Sequence, residues 1–183
     1  MTATPVDYEL LLPDGWFRIG IDPASRERSV DALVDRRFGG MDNAPHLKRR
    51  LRDDLLAQAA TAYDQGGIEL YLSMQQAGAL TVPASLLVTL LPPGGASGVA
   101  DASVVELAAG TALRRRGRTG AESEDGEALP SVTLDYQVPV PGTETHLLLT
   151  FSSPLVQIAD AMVALFDAVA GSLRWKGGKQ RRE

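Results

Sequence analysis

The stretch 136–175 constrains the fold more than any other part of this sequence. Two apolar runs, Tyr136-Gln-Val-Pro-Val140 and Leu147-Leu-Leu-Thr-Phe151, are separated by Pro141-Gly142. Pro presets φ and Gly accepts positive φ, so the runs predict adjacent antiparallel strands joined by a turn. Ser152 or Ser153 as an N-cap and Pro154 in a first turn predict a helix directly afterwards. Its apolar stripe would be Val156, Ala159, Met162, Val163, Phe166, Val169, Ala170 and Leu173, a 3.6-residue period, with Gly171 near its end. A hairpin covered by a helix is therefore expected at this end of the chain.

The 135 residues before it must supply the rest of one core, because 183 residues suit a single domain, here 1–175 with a polar basic tail at 176–183. Hydrophobic residues make up 44% of the chain and aromatics 5%, so that core must be built on Leu, Val, Ala and Ile. The sequence has no cysteine, which removes disulfides, thiolate nucleophiles, iron–sulfur clusters and thiolate zinc sites together. The first nine residues have no basic or long apolar signal pattern, and no run of about 18 apolar residues occurs, so the expectation is a cytoplasmic protein with no membrane partner.

In chain order, 8–12 and 16–21 flank the turn signal Pro13-Asp14-Gly15 and read as two strands, with Phe17, Ile19 and Ile21 facing the core and Trp16 covering an edge. A helix is predicted over 25–38. A longer one, capped by Asn43 and stopped by Gly66-Gly67, carries the stripe Leu47, Leu51, Leu55, Ala59, Ala62 and Tyr63. Residues 68–73 and 79–91 then alternate or run apolar as two antiparallel strands joined at 75–78. The second has the near-continuous apolar content of a central strand, with Pro83 at its entry or at a bulge. Residues 104–107 and 111–118 read as a hairpin around Ala109-Gly110, with a helix over 101–109 as the competing assignment.

Catalytic signatures are sparse. His46 and His146 are a hundred positions apart, and Glu144 beside His146 at i, i+2 is the one pairing that could begin a metal site. Gly94-Gly95-Ala96-Ser97-Gly98 matches neither a phosphate loop nor a nucleophile elbow. The expectation is accordingly no catalytic residue, no cofactor and no metal.

Charge is more informative. Arg114, Arg115, Arg116 and Arg118 are followed by Glu122, Glu124 and Asp125, a charge-segregated hairpin tip on a segment expected to contribute little to the core. Exposed ion pairs are worth only ~0–1 kcal/mol, so these charges are assigned to steering a protein partner. Arg36 and Arg49, with Arg37, Lys48, Arg50 and Arg52, form a second basic region that would become one positive surface if its two helices pack side by side. Nucleic acid is the competing partner there, disfavoured by the net charge of -5 and by the lack of interleaved aromatics.

The element order, Pro13-Asp14-Gly15-Trp16 near the start and Ser172-Leu173-Arg174-Trp175 closing the last helix make the chain resemble the PsbP-like superfamily, with relatives in actinobacteria. The resemblance spans Trp16 to Trp175 and implies an α+β fold, an α/β/α sandwich around a central antiparallel sheet. It also implies function by docking onto other proteins, that is, a non-enzymatic adaptor. A small-molecule binder or a hydrolase without a recognisable motif, and a nucleic-acid accessory protein acting through the basic helices, are the alternatives.

Overall fold

The computed structural model of the chain describes residues 5–40, 44–77, 80–95, 101–119 and 130–177. Nine strands run β1 (Pro5–Glu9), β2 (Trp16–Ile19), β3 (Gly67–Ala77), β4 (Leu80–Leu91), β5 (Ser103–Leu107), β6 (Gly110–Thr119), β7 (Ser131–Pro139), β8 (His146–Ser153) and β9 (Arg174–Gly177), and three helices are α1 (Arg26–Arg37), α2 (Pro45–Asp64) and α3 (Ala159–Gly171). Seven strands form one sheet in the order β2-β3-β4-β8-β7-β6-β5, with every neighbour antiparallel, while β1 and β9 pair as a separate ribbon. The fold is thus mixed α+β.

Alternation decides which helix covers what. Leu86 and Val88 of β4, Val132, Leu134, Tyr136 and Val138 of β7, and Leu147, Leu149 and Phe151 of β8 are buried on one face, against α3. On the other face Ile19 of β2 and Leu70 and Leu72 of β3 are buried with Val30, Leu33 and Val34 of α1 and Leu55, Ala59 and Ala62 of α2. Phe151 stacks on Phe166 of α3 at 5.0 Å between ring centroids. The predicted stripe holds from Ala159 on: Ala159, Met162, Val163, Phe166, Val169, Ala170 and Leu173 are all buried, whereas Val156, also placed on it, is half-buried in the turn before the helix. The turn holds as well, with Gly142 at φ +74°. β4 is third of seven strands and buries residues on both faces, as its apolar run required.

Pro83 sits within β4 opposite Met74. The Met74 N–H donates to Gly15 O at 2.8 Å, away from Pro83, and pairing of β4 with β8 begins only at Ser85, so no ladder bond asks Pro83 for a donor. Gly67 is required where α2 turns into β3: a Cβ there would lie 2.6 Å from both Ala62 O and Leu87 Cδ1.

Several expectations are corrected. α3 starts at Ala159, after a 3-10 turn at Val156–Ile158: the Ser153 hydroxyl donates to Pro83 O at 2.8 Å, tying the end of β8 to β4, and accepts the Leu155 N–H at 3.2 Å in a local turn and not as the cap of α3. The segment after Leu173 leaves the helix and becomes β9, pairing with β1, so Lys176 and Gly177 belong to a strand and not to the tail. The first strand is 5–9, and it does not pair with β2. Trp16 is buried against the α3-side core and does not cover an edge. Residues 75–77 continue β3, and 103–107 is strand, which settles the alternative over 101–109. Leu47 and Tyr63, placed on the α2 stripe, are 48% and 45% exposed. With 20 residues α2 spans about 30 Å, longer than the 12-residue α1 packed beside it, so its apolar stripe is longer than the neighbouring helix that could cover it. Ala44 takes the N-cap position without a side-chain bond, and Asn43 lies outside the described residues.

Candidate functional site

The arginines of β6 point alternately to the two faces of the sheet, and the structure gives three of them partners. On the α3 side, Arg114 Nε and Nη2 donate to Asp167 Oδ1 and Oδ2 at 2.8 and 3.0 Å, and Nε also reaches Tyr136 Oη at 3.2 Å. The Tyr136 hydroxyl donates to the same carboxylate. Two positions on, Arg116 Nη2 meets Asp160 Oδ1 at 2.8 Å. On the opposite face Arg115 Nη2 pairs with Asp135 of β7 at 2.7 Å. Arg118 is exposed, with no carboxylate partner among the described residues, and Glu122, Glu124 and Asp125 lie outside them. The expectation that this segment contributes little to the core is corrected for Arg114 and Arg116, which tie β6 to α3.

The electrostatics follow from that wiring. Burial alone would raise the Asp167 pKa, but the hydrogen bonds from Arg114 and Tyr136 outweigh it and hold the carboxyl below its usual range. The same cluster, through burial first and the Asp167 carboxylate second, pushes the Tyr136 phenol up to about 12. A parallel cluster lies near the other end of the sheet, where Tyr71 donates to Glu69 Oε2 at 2.9 Å, Tyr8 donates to the same oxygen, and Arg18 Nη2 meets Glu69 Oε1 at 2.7 Å. Burial and Glu69 raise Tyr71 to about 12. Both clusters fasten one element to another: Glu69 holds the β1–β9 ribbon, which also docks through Trp175 Nε1 on Ala109 O at 2.9 Å.

Among the described residues, the face of the sheet opposite α3 is covered over β2 and β3 and as far as Leu87 of β4. α1 packs on β2 and α2 on β3, whereas β8, β7, β6 and β5 run on without a described helix over them. Register places Thr89, Leu148, Gln137, Leu113 and Val104 in one row across this face. Leu113 and Val104, on the last two strands, are 37% and 67% exposed. The next row, Leu87, Thr150, Asp135 and Arg115, brings the Arg115–Asp135 pair alongside. Where α2 overhangs the sheet, a groove of about 730 Å³ is lined by Leu55, Gln58, Leu72, Leu87, Thr150 and Ser152 among others. A shallower cleft of about 710 Å³ lies between Arg116, Arg118 and the first turn of α3, with Ile158 exposed in it.

The second basic region is brought together as expected from side-by-side helices. Arg26 at the start of α1 lies over the Tyr63 ring at the end of α2, and Asp31 pairs with Arg52 at 2.6 Å, so α1 and α2 are antiparallel. The last turn of α1, with Arg36 and Arg37, thus shares one end of the molecule with the first turns of α2, which carry Lys48, Arg49 and Arg50. Arg52 is neutralised by Asp31; no ion pair holds the other five among the described residues. The two histidines remain far apart in role: His46 is exposed on α2, and His146 opens β8 with Glu144 in the preceding turn. No group of three His, Cys, Asp or Glu side chains able to hold a metal occurs among the described residues. No described helix is long and apolar enough to cross a membrane.

Reading the residues in order missed Asp160 and Asp167, the acids that hold the β6 arginines. A usable signal was present: Arg114 and Arg116 fall on one face of a strand, and Asp160 and Asp167, seven apart, on one face of a helix. The uncovered row through Leu148, Leu113 and Val104 was also missed, since an apolar residue in a strand does not announce which face is covered. No protein-family model matches the chain, and no curated protein is significantly similar to it.

Proposed function

We propose that this protein is a non-enzymatic adaptor of the cytoplasm that docks a protein partner on the edge of its sheet formed by β5 and β6. The observation that carries the reading is the pair Val104 and Leu113, adjacent across the two strands and open to solvent on the face that α1 and α2 leave bare. Large apolar side chains grouped on a sheet face are uncommon without a covering surface, and charged residues around such a patch set orientation and encounter rate. Arg115–Asp135 borders it, and Arg118 lies on the opposite side of the same strand. An antiparallel sheet with helices on both faces and a closing helix also supports the PsbP-like α/β/α sandwich reading, with its emphasis on docking. The test is capture from source cells by the wild-type protein and by a Val104→Asp, Leu113→Asp variant of unchanged melting temperature. A partner identified with the first and lost with the second supports the reading; equal capture of the same partner by both overturns it.

A second reading, a small-molecule binder, is favoured by the groove under α2, whose apolar floor and hydroxyl and amide rim suit a neutral ligand. A thermal-shift screen in which hits disappear on Leu87→Trp, which fills that groove, would establish it.

A further inference from the structure

At the shared end of α1 and α2, Phe17, Leu33 and Met74 floor a crevice of about 150 Å³ that Arg36 and Arg37 rim. The Arg36 guanidinium lies 4.8 Å from the centroid of the Phe17 ring, which presents it at the mouth while covering the aromatic face. Lys48, Arg49 and Arg50 extend the same positive end onto α2. In sequence, 35–50 holds five cations against Asp35 and Asp42, net +3 in a chain of net -5. These five cations have no ion pairs among the described residues, unlike Arg114, Arg115 and Arg116 of β6, so their charge is available to a ligand.

We infer that this end of the molecule binds an acidic peptide segment of a partner protein that inserts one aliphatic side chain into the crevice. The chemistry selects this ligand on two grounds. The arginine rim and the lysine and arginines of α2 complement carboxylates spaced along an extended chain, with Arg37 free to bind one bidentately. The floor is aliphatic and thioether, with room for one side chain, and its single aromatic face is already stacked under Arg36, so it offers no platform on which a nucleic-acid base could stack. The site lies on the opposite edge of the sheet from Val104 and Leu113 and stands independently of the docking surface proposed above.

The probe is a fluorescein-labelled synthetic peptide, Glu-Asp-Glu-Leu-Asp-Glu-Asp, titrated with the full chain by fluorescence anisotropy at low and moderate salt. Binding that weakens with salt is expected, together with a loss of about tenfold or more in Arg37→Glu combined with Arg49→Glu, neither of which makes a described contact within the fold. Replacing the peptide's Leu by Ser should weaken binding about threefold to tenfold, the contribution of one partly buried aliphatic group. Arg36→Lys, which keeps the charge but not the planar stack, should leave the fold intact and weaken the peptide measurably. No binding by the wild type, binding indifferent to the Arg37 and Arg49 reversals, or binding indifferent to the peptide's Leu would overturn the inference. Tighter binding of a labelled single-stranded oligonucleotide, or of phosphatidylserine vesicles, than of the peptide would overturn it in favour of that class of ligand.

Discussion

The two faces of β7 and β8 are built from alternate residues of the same two strands and do opposite things. Toward α3, Val132, Leu134, Tyr136, Val138, Leu147, Leu149 and Phe151 are buried, and the polar atoms that reach that side are tied to α3 by Arg114 and Asp167. Toward the other side, Thr133, Asp135, Gln137, Leu148, Thr150 and Ser152 are only half-buried, and beyond them β6 and β5 expose Leu113 and Val104. Folding free energy is concentrated on the first face, because that is where apolar area leaves water. The second face is left with surface that the fold does not need, and surface of that kind is what a binding protein has to offer. Predictions that separate stability from binding therefore test the comparison directly.

The largest effect is expected at the centre of the covered face. Phe166 is fully buried and stacked on Phe151, so Phe166→Ala should cost roughly 3–5 kcal/mol in denaturant unfolding, a large share of a domain's typical ~5–15 kcal/mol. A cost below about 1 kcal/mol would mean that α3 is not the lid of this core.

Next comes the polar fastening of the same face. Arg114→Ala removes a bidentate pair that is partly exposed and leaves Tyr136 and Asp167 bonded to each other, so a loss of about 1–2 kcal/mol is expected, reduced from a fully buried pair by solvent screening. Arg118→Ala, on the same strand but without an ion pair among the described residues, should be within about 0.5 kcal/mol of wild type. Equal effects of the two would show that the β6 arginines act as a solvated row, with no distinction between built-in and free charge.

A third effect appears only in alkali. Tyr136 titrates at about 12 in the folded chain against 10.0 unfolded, a raised value, so its contribution is complete below pH 10 and is lost as pH rises toward 12. The denaturation midpoint of the wild type should fall across that window more steeply than that of Tyr136→Phe, which cannot ionise there. Parallel curves would remove Tyr136 from the cluster that fastens α3.

How much of this was legible in the sequence depends on whether the signal was local. The Pro141-Gly142 turn, the α3 stripe, the Ala109-Gly110 turn and the apolar run of β4 were readable because turn chemistry and periodicity act within a few residues. The pairing of β1 with β9, 165 or more positions apart, was not, since nothing in Pro5–Glu9 specifies a partner across the chain. Nor was the exposure of Leu47 and Tyr63: the period gives the face of a helix and not the length of what lies beneath it. For the candidate sites the residue types were visible and their availability was not. Arg114 and Arg36 look alike in sequence, and only the opposing carboxylate of Asp167, or the Phe17 ring, separates an arginine paired within the fold from one stacked at the surface without an ion pair among the described residues.

The smallest effect on stability is expected where the effect on binding should be greatest. Leu148 and Leu149 are neighbours in β8 that point to opposite faces, the first half-buried and the second fully buried. Leu149→Ser should destabilise strongly, since it removes core volume and buries a hydroxyl against Phe151 and α3. Val104→Asp, at the exposed end of the row that runs through Leu148, should change unfolding free energy by less than about 0.5 kcal/mol, because a carboxylate there keeps its water, and Leu113→Asp, nearly two thirds covered, should cost about 1 kcal/mol, still well below Leu149→Ser. They should also raise solubility, because they break up an apolar patch beside an edge strand that would otherwise invite pairing with another chain. Unfolding curves of the three variants, read beside sedimentation at high concentration, decide the matter. If Val104→Asp destabilises the domain by as much as a core substitution, the β5–β6 edge is covered in the folded protein and the two faces of the sheet are not opposites.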